Sequence, residues 1–146
     1  MAETRVQTFE NHGQYRPEYH IVVFFILLAN FVWASYQLVE GLTGTAVVSF
    51  LMSIALIVMF FSVRTQILTV QDRVIRLEMR QRFRELLTAD LASRASSLPL
   101  RQIIALRFAS DDELPGLVDD VLAGQLTGTK EIKQRVRNWQ ADHLRA

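Results

Sequence analysis

Apolar residues run without a charge from Ile21 to Val39 and again from Thr45 to Val63, with only Glu40-Gly41-Leu42-Thr43-Gly44 between them. A helix of about 20 apolar residues crosses the roughly 30 Å hydrocarbon core of a bilayer, so each run is long enough to span it. The pattern predicts a transmembrane hairpin over 21–63, with spans 21–39 and 45–63, after a polar interfacial lead-in over 1–20. A signal peptide would start basic and carry a shorter apolar stretch, whereas this start mixes Glu3, Arg5, Glu10, Arg16 and Glu18. In the lead-in, Tyr19 and His20 are expected at headgroup depth, where amphipathic rings are favoured.

After Val63 the pattern turns amphipathic. Arg64–Arg94 holds no proline or glycine, which predicts that the second span continues as a long cytoplasmic helix over 64–95. A continuous helix from Thr45 to about Ser93 would be roughly 70 Å long. Ile67, Val70, Val74 and Leu77 recur at 3-4-3 spacing, a seam for packing against another helix or another copy. The stripe then shifts to Phe83, Leu86, Leu87 and Leu91.

Ser96-Ser97-Leu98-Pro99 breaks the run and opens a small helical module over 96–146. A short helix is expected over Pro99–Phe108. Ser110 and Glu113 have the spacing of a capping box ahead of Leu114, Leu117, Val118, Val121 and Leu122, which share one helical face. Gly124 should end that helix. Thr129 is expected to cap a last one through about His143, with Ile132, Val136 and Trp139 inward. A module of some fifty residues has a marginal core of its own, so it is expected to lean on the long helix or another subunit. The fold class is an all-α membrane protein.

Charge adds orientation. The net charge of +1 averages over a basic block (Arg64–Arg107), an acidic one (Asp111–Asp120) and a second basic one from Lys130. Arg64, Arg73, Arg76, Arg80, Arg82 and Arg84 follow the second span while the connecting turn carries only Glu40, so the positive-inside rule predicts both termini in the cytoplasm. These arginines can meet anionic headgroups or the acidic block of the same or a neighbouring chain. With zero cysteines there is no disulfide framework, in keeping with a reducing compartment.

Inside the spans the polar residues are Asn30, Ser35, Ser49 and Ser53, besides Gln37. Antiparallel pairing about Leu42 puts Asn30 beside Ser53 or Ile54, and Ser35 beside Ser49. Small hydroxyls there are expected to let the helices approach and bond across the seam.

No residue set specifies a reaction. His12, Glu18 and His20 could suggest a metal or haem site, but metal centres need three or four convergent ligands; His143 stands apart. The acids at Asp111–Asp120 lack the alternating ligands and glycine of a calcium loop. A helix, Gly124 and a basic helix with Lys130, Lys133, Arg135 and Arg137 allow a helix-turn-helix reading. The acidic preceding helix argues against it, and nucleic acid is not the expected partner. No catalytic residue, cofactor or metal is expected.

Three stretches carry a resemblance: Asn11-His12 with Arg16-Pro17 and Tyr19-His20; Leu106-Arg107-Phe108-Ala109-Ser110-Asp111-Asp112-Glu113-Leu114; and Glu131-Ile132-Lys133 with Asn138-Trp139-Gln140-Ala141-Asp142. Together the chain resembles a family of small bacterial two-span membrane proteins of unknown function. The resemblance implies a bacterial inner-membrane location and brings no activity. The expected role is a non-enzymatic assembly or accessory protein in the bilayer, acting through helix-mediated contacts with identical copies or a larger membrane complex. The alternative is a membrane-anchored regulatory module with a nucleic-acid-binding end.

Overall fold

The computed structural model describes residues 18–142, with side chains from Ile21 onward. The lead-in over 1–17, with His12, and the end from His143 lie outside the described residues, as does the side chain of His20. A π-helical turn, Glu18–Val23, leads into α1 (Phe24–Glu40), followed by α2 (Gly44–Leu86), α3 (Ala89–Ser96), α4 (Leu100–Leu106), α5 (Leu114–Leu122) and α6 (Thr129–Arg135). Among the described residues the only extended pairing is one isolated antiparallel bridge between Ala109 and Trp139. The chain divides into two compact units, one reaching to Leu68 and the other starting at Thr69, so α2 contributes to both.

In the first unit two helices are long and apolar enough to cross a membrane, Ile21–Glu40 and Gly44–Leu86. Thr43 starts α2, its hydroxyl accepting the Ala46 N–H at 3.2 Å and satisfying one of the free donors at a helix start. Phe24 lies 6.4 Å from Phe60, and Phe31 5.6 Å from Phe50, between ring centroids. The buried residues of this unit are small ones, Ala34, Ala46 and Ser53, while Phe25, Ile26, Val32, Leu51 and Val58 are exposed. That is the reverse of a helix pair stabilised by water, which turns its large apolar groups inward.

The second unit has a conventional core. Ile75, Met79 and Phe83, at successive i+4 positions of α2, are at most 5% exposed. They pack with Ala92 and Ala95 of α3, Ile103 and Leu106 of α4, Leu114, Leu117, Val118 and Val121 of α5, and Ile132 of α6. This is the leaning of the small module on the long helix that its size requires.

Several expectations about individual elements are corrected. The long helix does not continue to Ser93: α2 ends at Leu86 and Thr88 is extended (ψ 155°) before α3. Leu86, Leu87 and Leu91 follow Phe83 at i+3, i+4 and i+8, one face of a straight helix, and all three pack on the core across the break. The fourth helix is shorter than Pro99–Phe108, ending at Leu106 and leaving Phe108 buried in the following turn.

The last helix ends at Arg135, where Val136 turns extended, so Trp139 reaches the core from a strap rather than from a helix face. The cap of α6 is also not Thr129, which is its first residue. Gly128 occupies the cap position, and the Glu131 carboxylate reaches back to accept the N–H groups of Thr127 and Gly128 at 3.1 and 2.9 Å. Those two bonds hold the Glu131 carboxyl below the ordinary glutamate range.

Gly124 ends α5 as expected, with φ +76°. The Gly124 N–H bonds Val121 O and the Gln125 N–H bonds Asp120 O, the paired closure of a Schellman turn. Because an L side chain in the left-handed region costs about 1–2 kcal/mol, Gly124→Ala should lower stability by that amount in denaturant unfolding. Gly116→Ala, at an open helical position of α5, should instead raise stability, and a Gly124→Ala variant as stable as the wild type would remove the conformational explanation.

Candidate functional site

The two resembling stretches after Arg64, which are far apart in sequence, meet in the second unit. The turn between α4 and α5 and the strap over 136–142 are bound at four points. Phe108, fully buried, stacks on Trp139 with ring centroids 4.3 Å apart and planes at 17°. The Gln140 N–H bonds Phe108 O at 2.8 Å. Arg107 Nη1 lies 3.3 Å from Asp142 Oδ2. The Glu113 carboxylate accepts the N–H of Arg137 at 3.2 Å and that of Asn138 at 3.1 Å.

Glu113 therefore does not form the expected capping box with Ser110. Its carboxylate is used by the strap, and the first turn of α5 is closed instead by the Leu114 N–H on Ser110 O. The Arg107 guanidinium and the Lys133 ammonium lie 4.6 and 5.2 Å from the Phe108 ring centroid, within cation–π reach.

Arg82 joins α2 to this junction. Its Nε and Nη2 lie 2.8 and 2.6 Å from Asp111 Oδ1, while Nη1 donates to Arg107 O at 3.3 Å and Nη2 to Ala109 O at 2.6 Å. One arginine of the basic block thus meets the acidic block within the same chain. Of the others, Arg80 and Arg84 line a cleft between α2 and α3, and Arg73 is exposed. Arg64 and Arg76 are half-buried.

The seam residues Ile67, Val70, Val74 and Leu77 take no part in the core and are 45–66% exposed. The core-facing stripe of α2 is a different one, offset around the helix. In the first unit, Ser53 is buried while Asn30 and Ser49 are exposed. Ser35 and Ser53 donate to the carbonyls of Phe31 and Phe50, both at 2.7 Å. The bonds expected across the seam are not the ones these hydroxyls make, because the carbonyl one turn back is the nearest acceptor. Ser53, with Ala34 and Ala46, acts by being small.

A cleft of about 520 Å³ beside the connecting turn is lined by Trp33, Tyr36, Glu40 and Ser49 among others. Among the described residues no three of His, Cys, Asp and Glu gather as metal ligands would. The basic residues of the last helix divide: Lys133 sits at Phe108, while Lys130, Arg135 and Arg137 are exposed.

The sequence pattern of one family matches the chain over residues 1–146, from the lead-in to the strap. The chain belongs to the family of unknown function DUF6526. No curated protein and no solved structure matches it. In this DUF6526 chain the junction is built by Phe108, Arg107 and Asp142, to which sequence reasoning gave no role there, and by Trp139, which it expected on the inward face of the last helix. Their signal was their presence in the resembling stretches. What each bonds to depends on contacts some thirty residues apart, which helical periodicity does not report.

Proposed function

We propose that this chain is a two-span protein of a bacterial inner membrane, both termini cytoplasmic, that acts without catalysis as an assembly or accessory protein. Its helical hairpin anchors it, and α2 beyond the bilayer carries the contact with a second copy. Large apolar groups exposed along α1 and the first part of α2 support the membrane placement, since soluble proteins rarely leave a contiguous apolar surface of this extent uncovered. The arginines after the second span support the orientation.

The observation that carries self-association is the seam itself: Ile67, Val70, Val74 and Leu77 are left outside a core that α2 fills with a separate stripe. Two copies inserted the same way in a bilayer present their α2 helices in parallel. With Ile67 and Val74 at a positions and Val70 and Leu77 at d, Ile67, Val74 and Leu77 fall where parallel pairs favour them, and Val70 is the exception. Arg73 and Glu78 then occupy g and e positions five residues apart, the spacing at which opposite charges pair between parallel helices.

Light scattering of the complex in mild detergent or native nanodiscs tests this. The wild-type chain is expected to run as a dimer or larger species, and Val74→Asp with Leu77→Asp as a monomer with an unchanged helical spectrum. Equal masses for the two would overturn the seam as the contact, and stoichiometric co-elution with other membrane proteins would make the docking partner a larger complex.

A further inference from the structure

Arg80 and Arg84 stand one turn apart on α2, on one side of the helix, and together with Ser93, Ser96 and Ser97 of α3 and its end they line a cleft of about 560 Å³. No carboxylate lines it. Arg80 Nε is buried and, among the described residues, has no hydrogen-bond partner. Two like charges at i, i+4 repel, and a buried donor left unmade costs free energy. An anion in the cleft would relieve the repulsion, and a turn of the Arg80 side chain would bring its now buried Nε to the same anion.

From this geometry we infer that the cleft binds a phosphate group. The guanidinium is a planar fork that matches phosphate oxygens, and two of them balance a phosphate dianion. The Ser96 and Ser97 hydroxyls now donate to Ala92 O and Ser93 O, and each can rotate its hydrogen to a phosphate oxygen while its own oxygen stays in place. Leu87 adds an apolar wall for whatever the phosphate is attached to. The volume falls in the range of small-molecule sites, about 300–1,000 Å³, and exceeds that of bare phosphate. A phosphate monoester is therefore the ligand class. It can come from a soluble phosphorylated compound or from a lipid with a terminal phosphate.

The test uses the full chain in nanodiscs of phosphatidylcholine, titrated with inorganic phosphate and followed by calorimetry, then repeated in nanodiscs containing phosphatidic acid. Saturable binding of one phosphate per chain is expected, weakened at least about tenfold by Arg84→Gln and by Arg80→Gln, the loss of one charge-assisted contact each. Arg101→Gln, exposed and outside the cleft, should leave it unchanged. If phosphatidic acid abolishes the titration, the ligand is a lipid phosphate; if the titration is the same in both discs, it is a soluble one. Either result supports the site. Absence of saturable binding in the first disc with no phosphatidic acid retained from the second would overturn it, as would equal affinity in Arg84→Gln. Arg84 is exposed, so that variant remains decisive even if Arg80→Gln does not fold.

Discussion

Phe108→Ala is expected to lower the unfolding free energy of the second unit by about 3–5 kcal/mol, the usual cost of emptying a fully buried aromatic site. The ring is completely buried and stacks on the Trp139 indole. Its loss removes the stack, the surface for Arg107 and Lys133, and the packing behind the Ala109–Trp139 bridge. Trp139 then faces water. Denaturant unfolding in a Trp33→Phe background reads both effects, because the remaining indole emission should shift to the red before unfolding begins. Phe108→Leu keeps most of the volume and should cost less than half as much, with a smaller shift. A loss under about 1 kcal/mol in the alanine variant would mean that the strap holds without the ring.

Arg82→Ala is the second large effect, about 2–3 kcal/mol, and its origin is not the ion pair. Asp111 is 58% exposed, and an exposed pair contributes at most about 1 kcal/mol. The two carbonyls of Arg107 and Ala109 decide the magnitude, since each accepts a hydrogen bond from a charged donor that is itself mostly shielded, and such bonds contribute about 1.5–3 kcal/mol. Asp111→Asn should therefore cost well under half of what Arg82→Ala costs. Arg82→Lys should not rescue, because an ammonium cannot divide its donors among Asp111 and two carbonyls with the geometry of the fork. Thermal unfolding of the three variants side by side orders them; equal losses for Asp111→Asn and Arg82→Ala would return the weight to the charge pair.

Much of the local architecture was legible in the chain. The two apolar runs, the break at Ser96–Pro99, the α5 face at Leu114, Leu117, Val118 and Val121, and the stop at Gly124 all follow from periodicity and from the backbone freedom of glycine. These are short-range properties, set by side chains within one or two turns of each other. Helix ends were less legible. Thr88 and Val136 interrupt helices that propensity would continue, yet beyond the breaks Leu91 still packs on the core and Trp139 stacks on Phe108. The roles of charged residues were least legible: Glu113 is spaced like a cap and binds the strap, and Arg82 belongs to a basic block and fastens α2 to the turn between α4 and α5.

By itself, the sequence determined which segments are apolar enough to leave water, which are helical, and the order of basic and acidic blocks, since each depends on residue type and spacing alone. Only the tertiary structure decided which face of α2 is covered. Ile75, Met79 and Phe83 lie inside and Val70, Val74 and Leu77 outside, although both sets have helical spacing and similar hydrophobicity. Burial on a helix with two apolar stripes is settled by what α3–α6 bring against it, and that depends on turns far along the chain.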